Sequence, residues 1–393
     1  MMMSRPALRA WLLLACLAVA SGSAHGQQPA PTTLEDAACD ASASLLFNGS
    51  TANRSITEQV NLGPRLPGSN ASHALRAIML EAAEANGWMA ELQVHERHGM
   101  NLTNVILTLN GTAAGPRTAV VLGAHYDSRN IADQDLNASN RSQPVPGAND
   151  GASGTAVLLQ FITIAPQLNL EHDLVLFFND AEDQNENFTE GAAAWADNLT
   201  GEDVERIESF LLLDMVGDAD LQLHDIEPGN RTLKQRLLAI GAALGMVGDQ
   251  TDCNGDIGQD IMRYNVTTAV LDDHIHPHAL GIPSVNLMDP VYGEPKTGTF
   301  GTHWHTMEDT PDKVSAASLE HVGRLIEVAL RTGALLDVDP LEEHESTDPD
   351  PTPTDTETSS APPRNTGLLA LGLTGLLLIL GLIGVAEWFL KRS

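Results

Sequence analysis

Glu182 and Asp183 sit side by side in LVLFFNDAEDQNENF, from Leu174 to Phe188, where the most strand-like run of the chain leaves the core. Two neighbouring carboxylates where a buried strand should be leaving the core call for an explanation. Similar side chains close other apolar runs: His125 and Asp127 follow VVLGA, Asp214 ends FLLLD, Asp150 lies in the glycine-rich PGANDGASG, and His305 lies in THWHTMEDT. Imidazole nitrogen combined with carboxylate oxygen suits Zn²⁺ or a similar divalent ion. Each acid alone reads as a helix cap or a solvated turn, and Asp180 is left with that reading. Five segments delivering such groups together read as a metal centre.

The elements that must position them alternate. Leu75 to Leu92 is an amphipathic segment with Gly87 as its stop, so a helix is expected there. NVILTLNG, RTAVVLGAHYDS, HDLVLFFND, VERIESFLLLDMVGD and IPSVNLMD read as strands. GASGTAVLLQFITIA, LKQRLLAIGAALG and SAASLEHVGRLIEVALRTGALL read as helices. Continuous apolar strands separated by helices predict an α/β fold whose sheet is covered on both faces. In such sheets ligands bind outside the carboxyl ends of the strands, which is where these side chains fall. No internal repeat is visible.

GAHYDS, PGANDGASG, FFNDAED, LLLDMVGD, DDHI…LGIP and WHTMEDTPDKVS occur in this order, after LGPRLPGS at Leu62 to Ser69. Together these motifs resemble the zinc aminopeptidase and glutaminyl cyclase family, and the likeness runs from Ser55 to Leu330. It implies a single globular α/β domain with a mixed, mostly parallel central sheet flanked by helices. It also implies a site for two zinc ions, or one in a cyclase, held by His125, Asp150, Asp183, Asp214 and His305. His125 and Asp214 would serve separate metals, with Asp150 between the ions and Asp183 grouped with Asp150 and His305. Glu182 would be the general base, and Asp127 would fix the tautomer of His125. Asp183 stands where the family commonly has Glu.

Two chemistries share the scaffold. Removal of N-terminal residues from peptides by metal-activated water is the leading expectation, supported by the peptidase-like NDGASG. The alternative is cyclisation of an N-terminal Gln to pyroglutamate with loss of ammonia. Trp304 and the doubled acid Asp272–Asp273 favour the cyclase and are assigned to the substrate side. Asn286 speaks against it, because animal cyclases carry His there. A receptor-like, inactive ectodomain is a third class, but such a chain should lose ligands or base, and this one keeps them all. His274, His276 and His278 form a His-X-His-X-His run, read as a structural segment with surface residues. His303 is a weaker candidate for the site, and Tyr126, Trp195 and Trp88 read as packing residues.

The ends and composition set the compartment. Residues 1–26 read as a secretory signal peptide, 27–38 as a linker and 39–338 as the catalytic domain. Residues 339–366 form a Pro/Thr/Asp-rich stalk, 367–386 a membrane span and 387–393 a cytoplasmic tail, the basic Lys391 and Arg392 lying inside. N-glycans are expected at the Asn-X-Ser/Thr sites Asn48, Asn53, Asn70, Asn101, Asn110, Asn137, Asn140, Asn187, Asn198, Asn230 and Asn265. Beyond Cys16 only Cys39 and Cys253 remain, enough for one disulfide and too few for a cysteine metal site. A net charge of −31 argues against a nucleic-acid partner.

Overall fold

The computed structural model describes residues 33–339. The expected signal peptide, membrane span and cytoplasmic tail lie outside the described residues. No helix among the described residues is long and apolar enough to cross a membrane.

The strands are β1 (Met89–Arg97), β2 (Met100–Leu109), β3 (Ala119–His125), β4 (Asp173–Asn179), β5 (Asp183–Gln184), β6 (Asn187–Phe188), β7 (Ile207–Asp214), β8 (Leu223–Glu227), β9 (Met262–Ala269) and β10 (Ser284–Met288). The helices used below are α1 (Leu34–Ser42), α2 (Gly49–Asn61), α3 (Asn70–Ala85), α4 (Ala152–Ile164), α5 (Glu190–Asn198), α6 (Gly201–Arg206), α7 (Arg231–Ala243), α8 (Ile275–Ala279) and α9 (Ala316–Thr332). The main sheet has the order β1-β2-β4-β3-β7-β10. β1 and β2 are antiparallel, as are β2 and β4; β4, β3, β7 and β10 run parallel. This is the mixed, mostly parallel sheet expected.

Alternation explains the continuous apolar runs. In β4, Leu174, Leu176 and Phe178 enter one core with α2, α3, α4, α7 and α9, while Val175 and Phe177 enter a second with Trp195 of α5. Trp195 stacks on Phe177 at 4.7 Å. A strand buried on both faces must be apolar at every position.

Several details depart from the sequence reading. The folded part begins by Leu34, inside the expected linker, because Thr33 and Asp36 form a capping box and Ala38 packs in the core. Cys39 of α1 is joined to Cys253 by a disulfide, tying the first helix to the loop beyond α7. The segment after Gly87 is the edge strand β1, whose residues are largely exposed and so carry no apolar period to read. Asn230 is buried, caps α7 and donates to Asp339 O at 3.1 Å, so it has no room for a glycan in the folded protein. The other sequon asparagines are exposed or half-buried.

Candidate metal centre

The parallel strands bring their carboxyl ends to one edge. His125 ends β3 and Asp214 ends β7, and these strands are neighbours. Asp150 arrives from the turn into α4. Gly151 follows it with φ 93°, and a Cβ there would meet Asp127 O at 2.2 Å and His125 Cε1 at 3.1 Å. Only glycine lets the helix start come this close to the end of β3. Asp183 follows β4 after a turn in which Ala181 is left-handed at φ 58°, and His305 is itself left-handed at φ 54°. Such backbone has to be held by its surroundings.

Two groups result. His125 Nε2 lies 3.2 Å from Asp214 Oδ1 and 3.3 Å from Asp150 Oδ1. His305 Nε2 lies 3.0 Å from Asp183 Oδ2 and 3.6 Å from Asp150 Oδ2. Within each triad the candidate ligand atoms lie within 4.8 Å of one another, and Asp150 belongs to both. His125 and Asp214 therefore fall in one group rather than in two, because β3 and β7 are adjacent.

Asp127 is buried, and its Oδ1 lies 3.4 Å from His125 Nδ1. Its carboxylate also accepts from Glu182 N at 3.1 Å, Asp183 N at 3.1 Å and Gln184 Nε2 at 2.8 Å, so it anchors the turn that bears the paired acids. Asp180 is not the solvated turn residue expected. It is fully buried, accepts from Thr103 N at 2.9 Å, and is pushed up to about 7 by burial and by Asp127.

The electrostatics suit a cation. Burial pushes the Glu182 carboxyl well above its usual range, and the charges of Asp183, Asp272 and Asp273 add to this. Burial and Asp183 raise Asp150 as well. Burial works against protonation of His125, but Asp127, Asp150 and Asp214 outweigh it and hold that imidazole well above its ordinary value. Asp150 Oδ2 and Asp183 Oδ2 are buried without a hydrogen-bond partner. Unsatisfied carboxylate oxygens facing imidazole nitrogens in a dry site are a donor set that fits Zn²⁺.

Asp272 and Asp273 are buried at the rim of this edge. Asn286 Nδ2 of β10 donates to Asp272 Oδ2 at 2.7 Å, and Asn179 Nδ2 of β4 donates to Asp273 Oδ2. Burial and Asp214 push Asp272 well above the usual carboxylate range. Trp304 stacks on the His305 ring at 3.5 Å. The histidine run does not converge: His274 Nε2 meets Pro228 O at 3.0 Å, and His276 Nε2 meets Thr189 Oγ1 at 2.8 Å. His303 packs edge-on against Tyr292 and belongs to neither group. Tyr126, Trp195 and Trp88 are buried as expected, although Tyr126 Oη also donates to Thr103 O.

Sequence reasoning missed the supporting residues. Arg65 is fully buried and donates to the carbonyls of Tyr126, Pro146 and Gly147. Asp309 accepts from Asn149 N and Asp150 N. Arg129 and Asp133 pack behind Asp183 and His305. Their signal was their place inside the quoted motifs or just beside them.

The model for Peptidase family M28 matches residues 104–330, more than half of the chain. The chain belongs to peptidase family M28. It is 24% identical to aminopeptidase YwaD of Bacillus subtilis over 273 residues, covering 69% of this chain and 54% of that protein, so it spans about half of that relative's length. It is also 24% identical to a glutaminyl-peptide cyclotransferase of Boiga dendrophila over 302 residues, covering 67% of this chain and 76% of the relative. Among solved structures, the glutaminyl cyclase of Porphyromonas gingivalis superposes with a TM-score of 0.61 at 25% identity, covering 72% of this chain and 98% of that one. A Zn-dependent exopeptidase from Parabacteroides distasonis gives 0.61 at 23% identity, with the same shares covered, a likeness of fold.

Proposed function

We propose that this M28 chain is a zinc-dependent glutaminyl-peptide cyclotransferase acting on peptides that begin with Gln. The observation that carries the reading is the hydrogen bond from Asn286 to Asp272. Asn286 counted against a cyclase because animal cyclases have His there, yet its amide N–H makes the donation to Asp272 that an imidazole N–H could make. Asp272, the first acid of the pair, where aminopeptidases tend to have Ser, is thus held near the base Glu182, whose carboxyl it helps to raise. Trp304 gives the site an aromatic wall over His305.

Zinc held by Asp150, Asp183 and His305 would act as a Lewis acid on the side-chain amide oxygen of the substrate. Glu182 takes a proton from the α-amino group as its nitrogen bonds to the side-chain amide carbon. The carbon–nitrogen bond to the amide NH₂ then breaks, and Glu182 returns the proton to the departing ammonia. Asp127 keeps Glu182 and Asp183 in register through their backbone N–H groups.

The second reading, an aminopeptidase, is favoured by one observation: both triads around Asp150 are complete. In that reaction Glu182 would take its proton from water and an N-terminal residue would be released. Incubating the full chain with Gln-initiated and Leu-initiated peptides and following products by mass separates the two. Loss of ammonia from the Gln peptide with the Leu peptide untouched supports the cyclase, whereas release of a free amino acid overturns it.

For placement, we propose that the catalytic domain lies outside the membrane, anchored through residues 367–386. Truncation after Arg364 should then release soluble, active protein.

A further inference from the structure

Asp183 is a shorter ligand than the Glu common at its position, and something must set where its oxygens point. The Arg129 side chain, only 5% exposed, donates from Nη1 to Asp183 Oδ1 at 2.6 Å and to Asn185 O at 3.0 Å. Its Nε donates to Asp133 Oδ1 at 3.0 Å, and that oxygen lies 3.4 Å from His305 Nδ1. The guanidinium also covers the Phe188 ring at 5.2 Å, on the short hairpin that Asp183 begins. One buried cation thus touches Asp183 directly and reaches His305 through a single carboxylate. It occupies Oδ1 of Asp183 and leaves Oδ2 facing His305 Nε2 at 3.0 Å.

We propose that Arg129 is a positioning residue that makes Asp183 a one-oxygen metal ligand and sets the zinc affinity of the His305 half of the centre. This rests on the zinc reading given above. A planar fork can hold a carboxylate, a carbonyl and a second carboxylate at once in fixed directions, which a lysine ammonium on a flexible stem does not do. Partners behind metal ligands typically set affinity by about 10- to 100-fold.

The test is zinc affinity, measured by chelator competition on the purified full chain as wild type, Arg129→Met, Arg129→Lys, Asp183→Asn and the double variant Arg129→Met/Asp183→Asn. Arg129→Met is expected to weaken zinc binding by about 10- to 100-fold, and Arg129→Lys by less. In the Asp183→Asn background, Arg129→Met should cost little more, because the residue it positions has already lost its charge. Wild-type affinity in Arg129→Met, or an equal loss with and without Asp183→Asn, overturns the proposal. If Arg129→Met does not fold, Arg129→Lys carries the test, and unchanged affinity there overturns it. A wild-type chain that binds no zinc overturns the metal reading beneath; a zinc-binding wild type with unaffected variants overturns this inference alone.

Discussion

The two halves of the centre are built differently. His125 and Asp214 end adjacent parallel strands, paired as far as Gly123 and Leu212, so the sheet sets where they emerge. Asp183 and His305 come from turns with left-handed backbone, at Ala181 and at His305 itself, and they depend on side chains for support. Asp127 accepts three donors from the turn at Asp183, and Arg129 and Asp133 brace the rest. A strand-borne ligand is placed by the fold, whereas a turn-borne one is placed by polar contacts that single substitutions can remove. Asp150 belongs to both halves and is held by Asp309 through its backbone.

The largest effect should come where the comparison collapses. Asp150→Ala removes the shared ligand and should abolish zinc retention in both halves, lowering turnover about 10³-fold or more. Metal content after dialysis, read with activity, checks this; retention of full zinc content would mean the halves do not share Asp150.

A smaller effect is expected for Asp127→Ala, weighted to the Asp183 side, where Asp127 accepts backbone N–H groups, although it also faces His125. It leaves Glu182 N and Asp183 N without their acceptor and Gln184 Nε2 with Ser128 O alone, at about 1–3 kcal/mol for each buried group left unpaired. Zinc affinity should fall about 10- to 100-fold with a lowered Tm, and an unchanged Tm would show that the turn needs no such anchor.

Much of this division was legible in the sequence. Buried parallel strands had to be apolar throughout, so β3, β4 and β7 stood out, and the polar residues that ended them pointed to a site. Strand order was not legible, so nothing in the sequence shows that His125 and Asp214 come together. β1 escaped because an exposed edge strand has no apolar period. Arg129 and Asp180 escaped because their partners lie far along the chain: Arg129 meets Asp183, and Asp180 meets Thr103. Charged residues read locally look like solvated turns.

A gentler probe is pH. In the metal-free protein His305 is pushed up to about 9, because Asp183, Asp133 and Asp150 outweigh the opposing effect of burial. A histidine raised in the fold contributes fully below its unfolded value of about 6.5 and loses that contribution as pH rises through about 9. Asp309 and Asp273, pushed to about 7 by burial, act with the same sign at lower pH. Metal-free protein should therefore lose thermal stability from mildly acidic conditions up to about pH 9, and zinc, replacing those protons, should flatten the profile. Unfolding curves with chelator and with zinc check it, and a metal-free stability that rises over this window would contradict it.

The central claim is that adjacent acids divide the work, Asp183 holding metal and Glu182 moving the proton. Zinc content and turnover of Glu182→Gln and Asp183→Asn, each with and without added zinc, test it most directly. Glu182→Gln should keep its zinc and lose about 10²–10⁴-fold in turnover, with no rescue by zinc. Asp183→Asn should lose zinc and recover in part when zinc is added. If Glu182→Gln loses its metal while Asp183→Asn keeps it, the roles are reversed and the account fails.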